Sequence, residues 1–82
     1  MEEVRSVVAR FPQRELEVRR RSSRDAHFRS ICSDYEEATR ALRYWDLAMK
    51  EGQGGQTVQR FKEYVSLVAE LEDEILTYLS RR

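Results

Sequence analysis

Phe28, Ile31, Tyr35, Ala38, Leu42, Trp45 and Met49 follow one another at spacings of 3, 4, 3, 4, 3 and 4, with no polar residue among them. That repeat is the seam of an α-helix packed along its length against another helix, because residues three and four apart share one face. After a Gly-rich stretch the same rhythm returns in Val58, Phe61, Val65, Val68, Glu72, Ile75 and Leu79, with Glu72 as its one polar member. Two long amphipathic helices joined by EGQGGQ fold back on each other, since a connection of about six residues suits antiparallel neighbours. The chain is therefore expected to be all-α, an antiparallel two-helix, coiled-coil-like hairpin with a short N-terminal helical arm.

Pairing positions across the bend gives Met49 with Val58, Trp45 with Phe61, Leu42 with Val65, Ala38 with Val68, Tyr35 with Glu72, Ile31 with Ile75, and Phe28 with Leu79. All layers but the Glu72 layer are apolar or aromatic, which predicts Leu42 and Trp45 as buried core. A carboxylate stranded at Glu72 would cost several kcal/mol on the order of an unpaired buried charge. Either the Tyr35 hydroxyl donates to it, or the second helix rotates so that Leu71 takes the seam; rotation is favoured because Leu71 continues a second stripe. That stripe, Tyr64, Val68, Leu71, Ile75 and Tyr78, is more apolar surface than one partner helix covers. Tyr64, Leu71 and Tyr78 are thus candidate interaction residues, covered by the N-terminal helix or by a second copy in a four-helix bundle.

Punctuation sets the boundaries. The only proline, Pro12, ends a first short helix whose Val4, Val7, Val8 and Phe11 form one stripe. A second short helix is expected over 13–21. Ser22 with Asp25 reads as a capping box opening the first long helix, and Lys50 with Gly52 suits its end. The resulting plan is one domain over 1–82: a basic arm at 1–24, a long helix at 25–51, a bend at 52–56 and a long helix at 57–81. With 82 residues, a lone monomer is marginal in stability.

Charge is balanced overall, 15 basic against 15 acidic residues, but not locally. Residues 1–24 hold seven arginines against four glutamates, and the remainder holds eight basic residues against eleven acidic ones. Arg14, Arg19, Arg20, Arg21 and Arg24 form a candidate basic patch able to track a phosphate backbone. Against that stand a neutral domain and an arm without interleaved aromatics, so the arm is expected to lie on the acidic end of the second helix or on a partner copy.

The chemistry of a site is thin. His27 and Cys32 are five apart, on different helix faces, and no further His or Cys completes a zinc site. Cys32 reads as a small residue flanking the seam. Asp34, Glu36, Glu37, Glu70, Glu72, Asp73 and Glu74 read as solvated faces, because a narrow hairpin offers no pocket to raise a carboxyl pKa. The Gly-rich bend lacks the lysine and preceding strand of a phosphate loop. No enzymatic activity, cofactor, metal, membrane contact or small-molecule substrate is expected. With no signal-peptide core and one cysteine, the expected compartment is the cytoplasm.

Phe11-Pro12 before a basic helical arm, Phe28-Arg29-Ser30 opening a long helix, Glu51-Gly52 with Gly54 and Gly55 at the bend, and a second helix ending in Glu74-Ile75-Leu76 together resemble the YdcH-like family of small bacterial proteins. The chain departs from that family's pattern at Cys32-Ser33-Asp34-Tyr35-Glu36-Glu37 and at Tyr44-Trp45. The resemblance implies a helical hairpin in the bacterial cytoplasm with no assigned biochemical activity. From the residues themselves we expect protein–protein association, including a homodimer; the alternative is a nucleic-acid accessory role for the arginine arm.

Overall fold

The computed structural model describes residues 4–52 and 54–80, and all of its regular structure is helical. Helix α1 (Arg5–Arg10) ends where expected: Phe11 leaves the helical region at φ −126°, and Pro12 opens a single 3-10 turn, Pro12–Arg14. Helix α2 (Glu15–Ser22) follows directly, so the arm's second helix starts later than the sequence predicts. Helices α3 (Ala26–Lys50) and α4 (Gly55–Ser80) are the two arms of the hairpin and pack along each other.

Ser22 does not cap α3. Its hydroxyl donates back to the Arg19 carbonyl inside α2, and Asp25 is the cap, its Oδ1 accepting from the backbone N–H groups of His27 and Phe28. A carboxylate serves that position better because it faces the positive end of the longer helix. At the other end Gly52 takes φ +77°, the left-handed conformation that terminates α3. Ala48 and Thr57, both small and both buried, bracket the bend.

The core lies in the open half of the hairpin, away from the bend. Phe28, Ile31, Cys32, Tyr35 and Ala38 of α3 cluster with Leu71, Ile75 and Leu79 of α4, and the arm adds Val4, Val7 and Val18. Val8 and Phe11 pack on its edge, so the stripe read from the arm does bind the hairpin. Leu42 and Trp45, expected to be buried, are only half-buried, as are Met49 and Phe61. The physical reason is coverage: two helices leave each seam flanked by water unless a third element lies over it, and the arm reaches only the open half.

Helix α4 is also rotated by one position from the simplest register. Thr57, Phe61, Tyr64, Val68, Leu71 and Ile75 turn towards α3, while Val58 and Val65, expected in the seam, are 38% and 43% exposed. Leu71 takes a seam position, as the favoured alternative requires. The Tyr35 hydroxyl nevertheless donates to Glu72 Oε2 at 2.6 Å. The two outcomes posed as rivals coexist, because rotation carries the carboxylate to the edge of the interface, still within reach of a phenol on α3.

Candidate functional site

The arginines of the arm divide into two groups. Arg10 Nε lies 3.0 Å from Glu72 Oε2, the same oxygen that Tyr35 holds. Arg21 Nη2 donates to the Tyr78 carbonyl at 2.8 Å, and Arg14 Nη2 reaches the Leu79 carbonyl at 3.5 Å. The last carbonyls of a helix have no intrahelical donor and sit at its negative end, so the guanidinium groups satisfy α4 where its own backbone cannot. Arg14 also binds Glu17 at 2.8 Å, and Arg19 binds Glu15 at 2.8 Å. Arg14, Arg19 and Arg21 are thus engaged within the chain. Arg20 and Arg24 are exposed and make no side-chain hydrogen bond or ion pair among the described residues. The sequence led us to expect the arm on acidic side chains of α4; most of that contact is with carbonyls, which composition does not count.

The interaction residues read from the sequence lie inside the chain's own packing. Leu71 is 8% exposed within the core, and Tyr64 is half-buried in a cleft. The Tyr78 ring sits 5.6 Å from Phe28 and 5.7 Å from His27, with the Arg21 guanidinium 5.7 Å from its centre. Apolar surface that faces water lies elsewhere. Val58 and Val65 are seven apart on one line of α4, and the next two positions on that line, Glu72 and Leu79, are the ones the arm covers. Leu42 and Met49 of α3 are half-buried in the same bend half. Leu67 is exposed to the same degree as Val58, and Tyr44, packed edge-on against Trp45 at 5.0 Å, and Leu47 are more exposed still.

A cleft of about 330 Å³ lies between the helices, with Ala38, Tyr64, Leu67 and Leu71 forming apolar walls and Asp34 and Glu37 at its rim. Cys32 is fully buried in the core, and His27 is exposed beside Tyr78. Among the described residues no group of three or more His, Cys, Asp or Glu side chains is placed to hold a metal ion. No helix there is long and apolar enough to cross a membrane.

One polar link was not legible in the sequence. Ser6 of α1 donates to Glu36 Oε1, and Thr39 lies within hydrogen-bond distance of the same serine hydroxyl. The Ser6 hydroxyl holds the Glu36 carboxyl below the usual carboxylate range, helped by Arg40 at 3.1 Å and opposed by partial burial. Ser6 sits beside the valine stripe of the arm, and only the docked position of α1 brings it to α3. No family model, curated protein or solved structure matches this chain.

Proposed function

We propose that the protein is an association module in the cytoplasm, a helical hairpin that works by protein–protein contact, first of all with a second copy of itself, and carries out no reaction. The observation that carries this reading is the bare strip of the bend half, where Val58 and Val65 continue in water the line that the arm covers at Glu72 and Leu79. Leu42, Trp45, Met49 and Phe61 of the same half are only half-buried. A second hairpin laid over that half would cover it as the arm covers the other, and two such hairpins make a four-helix bundle with a twofold axis. The hairpin form implied by the YdcH-like resemblance agrees with this reading.

The test is sedimentation of the full chain at tens of micromolar. A dimer is expected, converted to monomer by the double substitution Val58→Lys with Val65→Lys, with the helical circular dichroism unchanged because both side chains already face water. A wild-type protein that stays monomeric throughout overturns the reading.

A further inference from the structure

The fold gathers three arginines around one depression at the open end of the hairpin. Arg20, Arg21 and Arg24, with Glu17 and the apolar edge of Leu79, line a hollow of about 170 Å³. The one carboxylate in that lining is already neutralised: Arg14 binds both Glu17 oxygens, at 2.8 and 3.3 Å, and holds its carboxyl below the usual range. The nearby Asp25 is committed as well, since its Oδ1 caps α3, and its Oδ2 lies 3.8 Å from Arg21 Nη1. Arg21 is oriented before any ligand arrives, held by the Tyr78 carbonyl at 2.8 Å and lying over the Tyr78 ring. Arg20 and Arg24 have their guanidinium donors unspent among the described residues.

We propose that this hollow binds a single phosphoryl group in its dianionic form, as free phosphate or as a phosphate monoester. Size selects the group: the volume is well below the roughly 300–1,000 Å³ of pockets that enclose drug-sized ligands, so the hollow takes a phosphoryl group and leaves the rest of a larger ligand outside. Charge selects its ionisation, because one fixed and two free guanidinium groups meet two negative charges better than one. Guanidinium geometry suits phosphate oxygens, which accept two parallel hydrogen bonds from one fork. A nucleic-acid backbone needs a row of unpaired cations, and here Arg14 and Arg19 are tied up beside the hollow while residues 25–82 carry an acidic surplus.

The experiment titrates the full chain with inorganic phosphate, and separately with O-phosphoserine, by calorimetry and by backbone amide NMR. Saturable one-to-one binding is expected, with amide shifts centred on residues 20–24 and 79. Affinity should rise about tenfold as the pH is taken through the second phosphoryl ionisation, near pH 6 for phosphoserine and about one unit higher for inorganic phosphate, because arginine does not titrate there. Sulfate, a dianion throughout, should show no such rise. Arg20→Gln and Arg24→Gln should each weaken binding by about tenfold, the loss expected of one charged hydrogen bond. Both side chains are exposed and make no hydrogen bond or close ion pair among the described residues, Arg20 acting on Glu17 only through its charge, so the fold should survive, and circular dichroism checks this. Tighter binding of phosphoserine assigns a monoester, and equal binding assigns the free anion. Absence of saturation at millimolar phosphate, or unchanged affinity in both variants, overturns the proposal. So does oligonucleotide binding that grows with length and survives the double variant, which would make the arginines a diffuse polyelectrolyte surface.

Discussion

The two halves of the hairpin are built from the same heptad pattern and end up in different physical states. In the open half Phe28, Ile31, Tyr35, Leu71 and Ile75 are buried under α1 and α2. In the bend half Leu42, Trp45, Met49 and Phe61 meet in the same seam yet stay half-exposed, and Val58 and Val65 face water. A third helix makes the difference. A pair of helices shares only one narrow strip, and each seam residue keeps an open flank until something lies across the groove. The heptad repeat specifies which residues meet; coverage specifies how much water is removed, and stability follows the second.

The sharpest way to break this comparison is to truncate matched residues. Ile75→Ala, in the covered half, should lower the unfolding free energy by about 2–5 kcal/mol, whereas Leu42→Ala in the bare half should cost no more than about 1–2 kcal/mol, since much of that side chain is already hydrated. Denaturant titration decides it, and equal losses would show the two halves to be equally packed. Next in size, Val7→Ala should cost about 1.5–3 kcal/mol although it lies in a six-residue helix, because the valine is fully buried between the arm and the hairpin. A loss under half of that range would mean that the arm does not stabilise the open half.

Tyr35→Phe sharpens the comparison at the boundary between the halves. It should cost about 1 kcal/mol, at the lower end for a charged acceptor, because Glu72 keeps Arg10 and some contact with water. Burial, reinforced by the bond to Glu72 and its negative charge, raises the Tyr35 phenol above its ordinary value near 10, with Arg10 pulling the other way. The folded state therefore holds this proton more tightly than the unfolded chain. Its contribution is fully present below about pH 10 and is lost as the pH rises beyond that. The wild type should lose stability on that limb faster than Tyr35→Phe, which unfolding at matched alkaline pH measures.

The smallest effect belongs to the arm's polar contact. Above the ordinary carboxylate range Ser6 stabilises the ionised Glu36, and this contribution fades as the pH falls through the lowered folded pKa. Ser6→Ala should cost well under about 1 kcal/mol at neutral pH and reduce the slope of stability with pH on the acid side. An unchanged acid limb would show that the link does not hold the arm.

Much of the fold was legible before any coordinates. The presence of two long helices, the break at Pro12, the left-handed Gly52 and the valine stripe of the arm follow from local rules, because each depends on residues within a turn or two of one another; α4 begins at Gly55, two residues before the expected start at 57, and its expected end at 81 lies outside the described residues. The candidate site was less legible. Arg14 and Arg21 bond to carbonyls of α4, groups that every residue carries and that no side-chain pattern marks. Arg14 and Arg19 also have glutamate partners three and four residues away, which spacing alone marks, but the tie of Arg21 to α4, which sets it apart from Arg20 and Arg24, appears only once α2 is docked.

The sequence by itself determined that two long amphipathic helices must pair and that a short apolar arm must bind something. It left α4 with two overlapping stripes that share Val68 and Ile75, one completed by Val58, Phe61, Val65, Glu72 and Leu79, the other by Tyr64, Leu71 and Tyr78. Periodicity cannot choose between them, since each presents a near-continuous apolar face. The tertiary structure chose by combining them. Leu71 enters the interface with α3, Glu72 moves to an edge where Tyr35 and Arg10 can satisfy it, and the arm covers Leu79. That arrangement buries apolar surface without stranding a carboxylate, a condition set by three segments far apart in the chain.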